Sequence, residues 1–152
     1  TLYVPIGCGS GICGCIAARD ALGLSTEIVG VVSAQAQTAK LSVEAGRLVE
    51  TETPRTFADG MAVRVPVQEA LDVYRTGASR FVTVSEDDVA KAIRIYYSDT
   101  HNVAEGAGAA ALAALMKEKE RMAGREVAVV LCGGNIDADW FLTVLQGGVP
   151  QV

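Results

Sequence analysis

Aromatic residues make up only 5% of this 152-residue sequence, and histidine occurs once, at position 101. Large rings are therefore not the basis of its core. No serine or cysteine beside His101 forms a nucleophile–base dyad with it, so acyl-transfer chemistry is not expected and His101 is assigned to a solvent-facing turn. Basic charge is also short: 13 Lys and Arg face 18 Asp and Glu, for a net charge of −5. Without a basic stripe to neutralise phosphates, a nucleic-acid partner is excluded. No apolar run nears the ~20 residues of a membrane span, and no signal-peptide pattern is present. A membrane partner is excluded with it. The four cysteines are a poor disulfide framework, because Cys8, Cys13 and Cys15 crowd into one glycine-rich stretch far from Cys132. A reducing, cytoplasmic setting is expected. Their C-x4-C-x-C spacing misses the plant-type ferredoxin pattern by one residue, and no C-x2-C pair exists, which argues against an iron–sulfur or zinc site.

Half of the residues are hydrophobic and one fifth charged, a balance that supports a packed core. Abundant Ala, Val and Gly suit helices lying close to a buried sheet. Leu2–Ile6 and Glu27–Val32 are short β-branched runs and read as buried strands, as do Phe81–Val84 and Glu126–Leu131. Helices are expected over Ser10–Leu22, Ala34–Ala45 (closed by Gly46), Val67–Thr76 and Glu105–Glu120. Ser85-Glu86-Asp87-Asp88 is a capping sequence for a helix carrying Val89, Ile93 and Tyr96 or Tyr97 at helical spacing. Asp137 is placed to cap Trp140–Leu145. Val49–Pro66, with two prolines and no period, is a long excursion. Strands alternating with helices give an α/β class with a mainly parallel sheet, in one domain over residues 1–152.

Gly7-Cys8-Gly9-Ser10-Gly11 lies between the first strand and the first helix. Such a turn exposes backbone amides at the positive end of a helix, where an anion can approach without a Cβ in the way. No Gly-Lys-Ser/Thr follows, so it is not a P-loop, and Gly9-x-Gly11-x-x-Gly14 is only a weak dinucleotide match. The loop alone fits an anion site and a tight packing turn equally.

The wider pattern separates these. Val4-Pro5-Ile6-Gly7-Cys8-Gly9-Ser10-Gly11-Ile12-Cys13-Gly14 resembles the strand–tetraglycine–helix segment of the serine/threonine dehydratase family, among the tryptophan-synthase-β-like (fold type II) pyridoxal-phosphate enzymes. The resemblance continues in order through Ile28-Val29-Gly30-Val31, Lys40-Leu41-Ser42, Thr56-Phe57-Ala58-Asp59-Gly60-Met61-Ala62-Val63, Val82-Thr83-Val84-Ser85-Glu86, Glu105-Gly106-Ala107-Gly108-Ala109-Ala110 and Leu131-Cys132-Gly133-Gly134-Asn135-Ile136-Asp137. It implies that the amides of Gly7, Cys8, Gly9 and Ser10 hold the phosphate of pyridoxal 5'-phosphate. It further implies that Gly60 faces the cofactor ring, that Glu105 lies at a helix start near the cofactor, and that Cys132 faces the ring nitrogen. Cys8 and Ser10 stand where the family has glycine, Gly106 where it usually has proline, and Cys132 where it usually has serine. The metal-binding acids of some relatives have no counterpart in Val32-Ser33-Ala34-Gln35-Ala36-Gln37-Thr38, so no metal site is expected.

The resemblance also implies an omission. The Schiff-base lysine and the loop that grips the substrate carboxylate lie upstream of the glycine loop in the family, and the four lysines here, Lys40, Lys91, Lys117 and Lys119, match no such motif. The chain opens at Thr1 directly into a strand, as the C-terminal portion of the larger pyridoxal-phosphate domain would. No catalytic residue is assigned. The expected parent activity is elimination of a hydroxy amino acid to a 2-oxo acid and ammonia, with an amino-acid racemase and a non-catalytic self-associating half-domain as alternatives. A small amino-acid substrate belongs to the parent enzyme, and a homo-oligomer is expected of the chain.

Overall fold

The computed structural model describes all residues from Thr1 to Val152. Four strands form one sheet: β1 (Leu2–Pro5), β2 (Ile28–Ser33), β3 (Arg80–Val84) and β4 (Ala128–Val129). Their spatial order is β3-β2-β1-β4, and every pairing is parallel. The helices are α1 (Ser10–Ala21), α2 (Thr38–Ala45), α3 (Gln68–Gly77), α4 (Glu86–Thr100), α5 (Gly106–Lys117) and α6 (Ala138–Leu145), with a 3-10 turn at Asp59–Met61. None of the helices is long and apolar enough to cross a membrane.

The alternation of side chains along the strands builds two cores. Tyr3, Val29, Val31 and Val84 point to the face covered by α4, α5 and α6. Val4, Ile28 and Val32 point to the other face, where they meet Ile12 and Ile16 of α1, Ala39 of α2, and Leu71 and Tyr74 of α3. Every residue of β2 is buried, which is why it reads as an unbroken apolar run rather than an alternating one. Helix α5 is packed between the sheet and α4, with Ala107, Ala109, Ala110, Ala111, Ala113 and Ala114 all buried around it. Its lack of larger side chains is what brings its axis close.

Several boundaries differ from the sequence expectation for local reasons. Helix α2 begins at Thr38 instead of Ala34, because the amide of Gln35 donates to Ser33 Oγ at 3.1 Å and that of Ala36 to Ser33 O at 3.0 Å, closing a turn first. The expected strand Glu126–Leu131 shrinks to Ala128–Val129, an edge strand paired to β1 alone. Helix α5 stops at Lys117, three residues short, where Glu118 turns toward Arg80. Asp137 occupies the residue before α6 but its side chain makes no capping bond. The Ser85 cap forms as expected: Asp88 N donates to Ser85 Oγ at 3.1 Å and Ser85 N to Asp88 Oδ2 at 2.9 Å. His101 ends α4 in the left-handed conformation, φ 56°, in an exposed turn.

The N-terminal edge of the sheet is closed by a polar cluster. Tyr3 Oη donates to Glu118 Oε2 at 2.6 Å, and Arg80 donates to the same carboxylate, also at 2.6 Å from Nη2. Arg80 also reaches Glu27 at 3.4 Å, so β1, β2, β3 and the end of α5 share one charge network. The opposite, C-terminal edge is left open for the loops.

Candidate functional site

The chain runs from β1 to β2 and β3 on one side, then returns to add β4 on the other side of β1. The strand order therefore reverses between β1 and β4, and in open parallel sheets a crevice forms outside the strand ends at such a point. A cleft of about 210 Å³ lies there, lined by Val4, Pro5 and the glycine loop on the β1 side and by Val130 and Cys132 on the β4 side. Gly60, Met61, Glu105 and Ala107 close it from the remaining directions.

The β1 side is set by conformational need. Gly9 has φ 102°, and a Cβ there would lie 2.7 Å from the Ala70 methyl, so only glycine fits. A Cβ on Gly7 would collide with the carbonyl oxygen of Gly60. Cys8 and Ser10 are exposed, and His101 is the only non-glycine residue with positive φ, so the two departures from glycine fall where a side chain costs nothing. No side chain caps α1. The first amides of a 12-residue helix thus open toward the cleft beside the loop, with the positive end of the helix behind them. Uncapped amides, on a loop whose glycines let it pack tightly against Gly60 and α3, fit a phosphate group.

Gly60 arrives on the 3-10 turn within the excursion between α2 and α3. A Cβ on it would sit 3.0 Å from the Ala107 methyl and 3.9 Å from Glu105 Oε1. The missing side chain keeps the cleft open between the excursion and α5, so a flat ring has room against backbone.

Glu105 precedes α5 but does not cap it. It reaches across to the turn after β4, where Asn135 N donates to its Oε2 at 3.1 Å, while its own amide donates to Gly133 O at 3.1 Å. Gly133 must be small for this, since a Cβ would lie 2.5 Å from Glu105 Oε1. The carboxylate thus holds the turn that carries Cys132. Burial pushes the Cys132 thiol above the usual range, and the nearby Glu105 charge pushes it the same way. Cys132 therefore faces the cleft as a neutral thiol near pH 7.

The seven residues singled out in the sequence, Gly7, Cys8, Gly9, Ser10, Gly60, Glu105 and Cys132, line this one cleft. Sequence reasoning missed Met61 and Ala107, although both belong to segments that carry the family resemblance; a buried wall residue has no chemical signature of its own. It also missed Glu86, whose carboxylate fastens the excursion. The lysines lie elsewhere. Lys40 Nζ donates to Thr83 Oγ1 at 3.3 Å, Lys117 pairs with Asp88 at 3.0 Å, and Lys91 and Lys119 flank the α4–α5 groove. Nor do three or more His, Cys, Asp or Glu side chains converge anywhere.

Residues 1–133 match the family described as "Pyridoxal-phosphate dependent enzyme". The L-threonine ammonia-lyase of Thermotoga maritima is 31% identical over 150 residues, covering 99% of this chain and 37% of that protein. The L-threonine ammonia-lyase of Geobacter sulfurreducens is 34% identical over 148 residues, covering 97% of this chain and again 37% of the relative. The chain thus spans well under half the length of these curated relatives. Among solved structures, the processed form of threonine deaminase isoform 2 from Solanum lycopersicum superposes with a TM-score of 0.89 at 26% identity, over 95% of this chain and 40% of that one.

Proposed function

Because the chain belongs to the pyridoxal-phosphate dependent enzyme family, we propose that it is the cofactor-holding part of a dehydratase acting on threonine, serine or a related β-hydroxy amino acid. The products of that reaction are a 2-oxo acid and ammonia. The observation that carries this reading is the convergence of Gly7 to Ser10, Gly60, Glu105 and Cys132 on one cleft at the strand-order reversal. A dehydratase is favoured over a racemase because both curated relatives described above are ammonia-lyases.

When bound, pyridoxal phosphate supplies an electron-withdrawing ring that stabilises negative charge at the Cα of an amino acid. The chain's own residues hold and tune that ring. The amides of Gly7, Cys8, Gly9 and Ser10 bind the phosphate at the positive end of α1, and the Ser10 hydroxyl is available as a further donor. Gly60 gives the ring a backbone surface on which to lie. Cys132 offers the ring nitrogen a neutral partner, because burial and Glu105 hold its proton in place. A neutral partner does not force the nitrogen to be protonated, so less charge drains into the ring, which suits loss of a β-hydroxyl better than transamination. Glu105 fixes the Cys132 turn through Asn135 N.

None of the four lysines lines the cleft. The lysine that binds the cofactor covalently and the grip on the substrate carboxylate are assigned to the part of the relatives' length that this chain does not match. The chain by itself is then expected to bind the cofactor without carrying out dehydration. The test is to add pyridoxal phosphate, reduce with borohydride and map adducts by mass spectrometry. Saturable binding that competes with inorganic phosphate and leaves no stoichiometric adduct supports the proposal. A specific adduct on one of these four lysines, together with dehydratase activity, refutes the division of roles, and absence of saturable binding refutes the cofactor site.

A further inference from the structure

The excursion that delivers Gly60 contains no helix or strand before the 3-10 turn, yet Thr56, Phe57 and Ala58 are buried. What fastens it at Thr56 and Phe57 is one carboxylate on the first turn of α4. Glu86 Oε1 accepts from Ser33 Oγ at 3.0 Å and from Thr56 Oγ1 at 2.8 Å, and Oε2 accepts from the amide of Phe57 at 3.0 Å. Thr56 Oγ1 in turn accepts from Ala58 N at 3.1 Å, and Ala58 O accepts from Met61 N at 2.8 Å. The carbonyl of Gly60, within that last turn, packs against Gly7 of the phosphate loop. On its other side Ala58 is so close to α5 that a Cβ on Gly106 would come within 2.6 Å of the Ala58 Cα. A continuous chain of contacts therefore runs from Glu86 to the cleft, and it ties the end of β2, the start of α4 and the excursion together.

We propose that Glu86 is a positioning residue for the cofactor ring: it sets the height of Gly60 in the cleft without touching the ligand. The proposal rests on the pyridoxal-phosphate reading of the cleft. Its distinguishing consequence is a split between the two halves of the ligand. Phosphate binding depends on Gly7 to Ser10, whereas ring binding depends on where the excursion holds Gly60. Glu86→Gln keeps the shape of the side chain but removes one acceptor. In one orientation its amide nitrogen faces the Phe57 N–H, donor against donor. Flipped, it leaves the protons of Ser33 and Thr56, both buried, without an acceptor.

The experiment compares the chain with its Glu86→Gln, Thr56→Val and Thr56→Ser variants. Binding of pyridoxal phosphate and of inorganic phosphate is titrated separately, amide hydrogen exchange is followed over residues 56–61, and thermal unfolding is measured for each. The expected result is faster exchange in that segment and pyridoxal phosphate binding weakened by about tenfold in Glu86→Gln, with inorganic phosphate binding unchanged. Thr56→Val should behave similarly and Thr56→Ser should restore the parent values. A uniform loss of both ligands in step with a fall in melting temperature would mean a merely structural role and overturn the proposal, as would unchanged exchange or unchanged pyridoxal phosphate affinity in Glu86→Gln. If the parent chain binds neither ligand, the cofactor reading itself falls and ring positioning falls with it, while the exchange data still decide whether Glu86 is the anchor of the excursion.

Discussion

Replacing Gly7 and Gly14 separately by alanine makes the same chemical change at two nearby glycines, and the structure requires opposite results. At Gly7 the new Cβ collides with the Gly60 carbonyl oxygen and lies 3.3 Å from its carbon, and both neighbours are backbone. Backbone cannot rotate away as a flexible side chain can, so the excursion must move outward or the loop must deform. Overpacking of this kind costs about 1–3 kcal/mol. At Gly14, inside α1 and exposed, the Cβ meets nothing within 4 Å. There alanine only removes backbone freedom from the unfolded chain and improves helix propensity, worth about 0.5–1 kcal/mol in the stabilising direction. The two variants should therefore differ from each other by roughly 1.5–4 kcal/mol. For a chain of this size each kcal/mol shifts the melting temperature by about 2–4 °C, so the separation is large enough to measure by calorimetry or denaturant titration. Phosphate binding should fall in Gly7→Ala and stay constant in Gly14→Ala. Equal stability of the two variants, with phosphate binding intact in both, would refute the close approach of the loop to the excursion.

Stability should fall at both ends of the pH scale through the Tyr3–Arg80–Glu118 network. Hydrogen bonding from Arg80 leads the causes that hold the Glu118 carboxyl below its usual range, so its contribution is complete above that range and lost as pH falls through the lowered value. Burial, reinforced by Glu118, pushes the Tyr3 phenol up to about 12, so its contribution is complete below pH 10 and lost as pH rises toward 12. Denaturant titrations across pH should show both losses, and Glu118→Gln should remove the acid loss while only reducing the alkaline one, which burial of Tyr3 sustains. Ser85→Ala removes the hydroxyl that accepts from Asp88 N and should cost about 1 kcal/mol in the same titrations. Cys8 and Cys132 open onto the cleft, so pyridoxal phosphate should slow their alkylation by iodoacetamide while leaving that of Cys15 unchanged, as read by peptide mass spectrometry. Alkylation of Cys132 should also accelerate as pH rises above neutrality, because its thiol is held protonated.

Alternation of apolar runs with helical periods was enough to read a parallel α/β sheet, because β2 is buried on both faces and α5 carries almost nothing larger than leucine. The β3-β2-β1-β4 order was not legible. It depends on which side of β1 the last strand docks, and Ala128–Val129 is too short for its composition to say. Yet that order creates the cleft. The shortfall at α2 has a similar cause: a buried serine at the end of β2 takes the next amides, that of Gln35 on its hydroxyl and that of Ala36 on its carbonyl, a choice that propensity cannot register. Candidate site residues were legible through turn glycines and the family resemblance. Glu86 was read only as a favourable charge at a helix start, since nothing local reveals that Thr56 and Phe57 fold back onto it.

The glycine loop shows what this kind of site demands of its residues. In the proposed phosphate site four amides would face the ligand, but only particular positions must lack a side chain. Gly9 is forced by its φ of 102° and by Ala70, and Gly7 by the carbonyl of Gly60. Cys8 and Ser10 sit at ordinary φ with their side chains exposed, so cysteine and serine there leave the amides where glycine would leave them. Departure from an all-glycine loop is then no evidence against phosphate binding. The loss of Gly7 or Gly9 would be, because each is held small by a neighbour that is itself part of the cleft wall or its support.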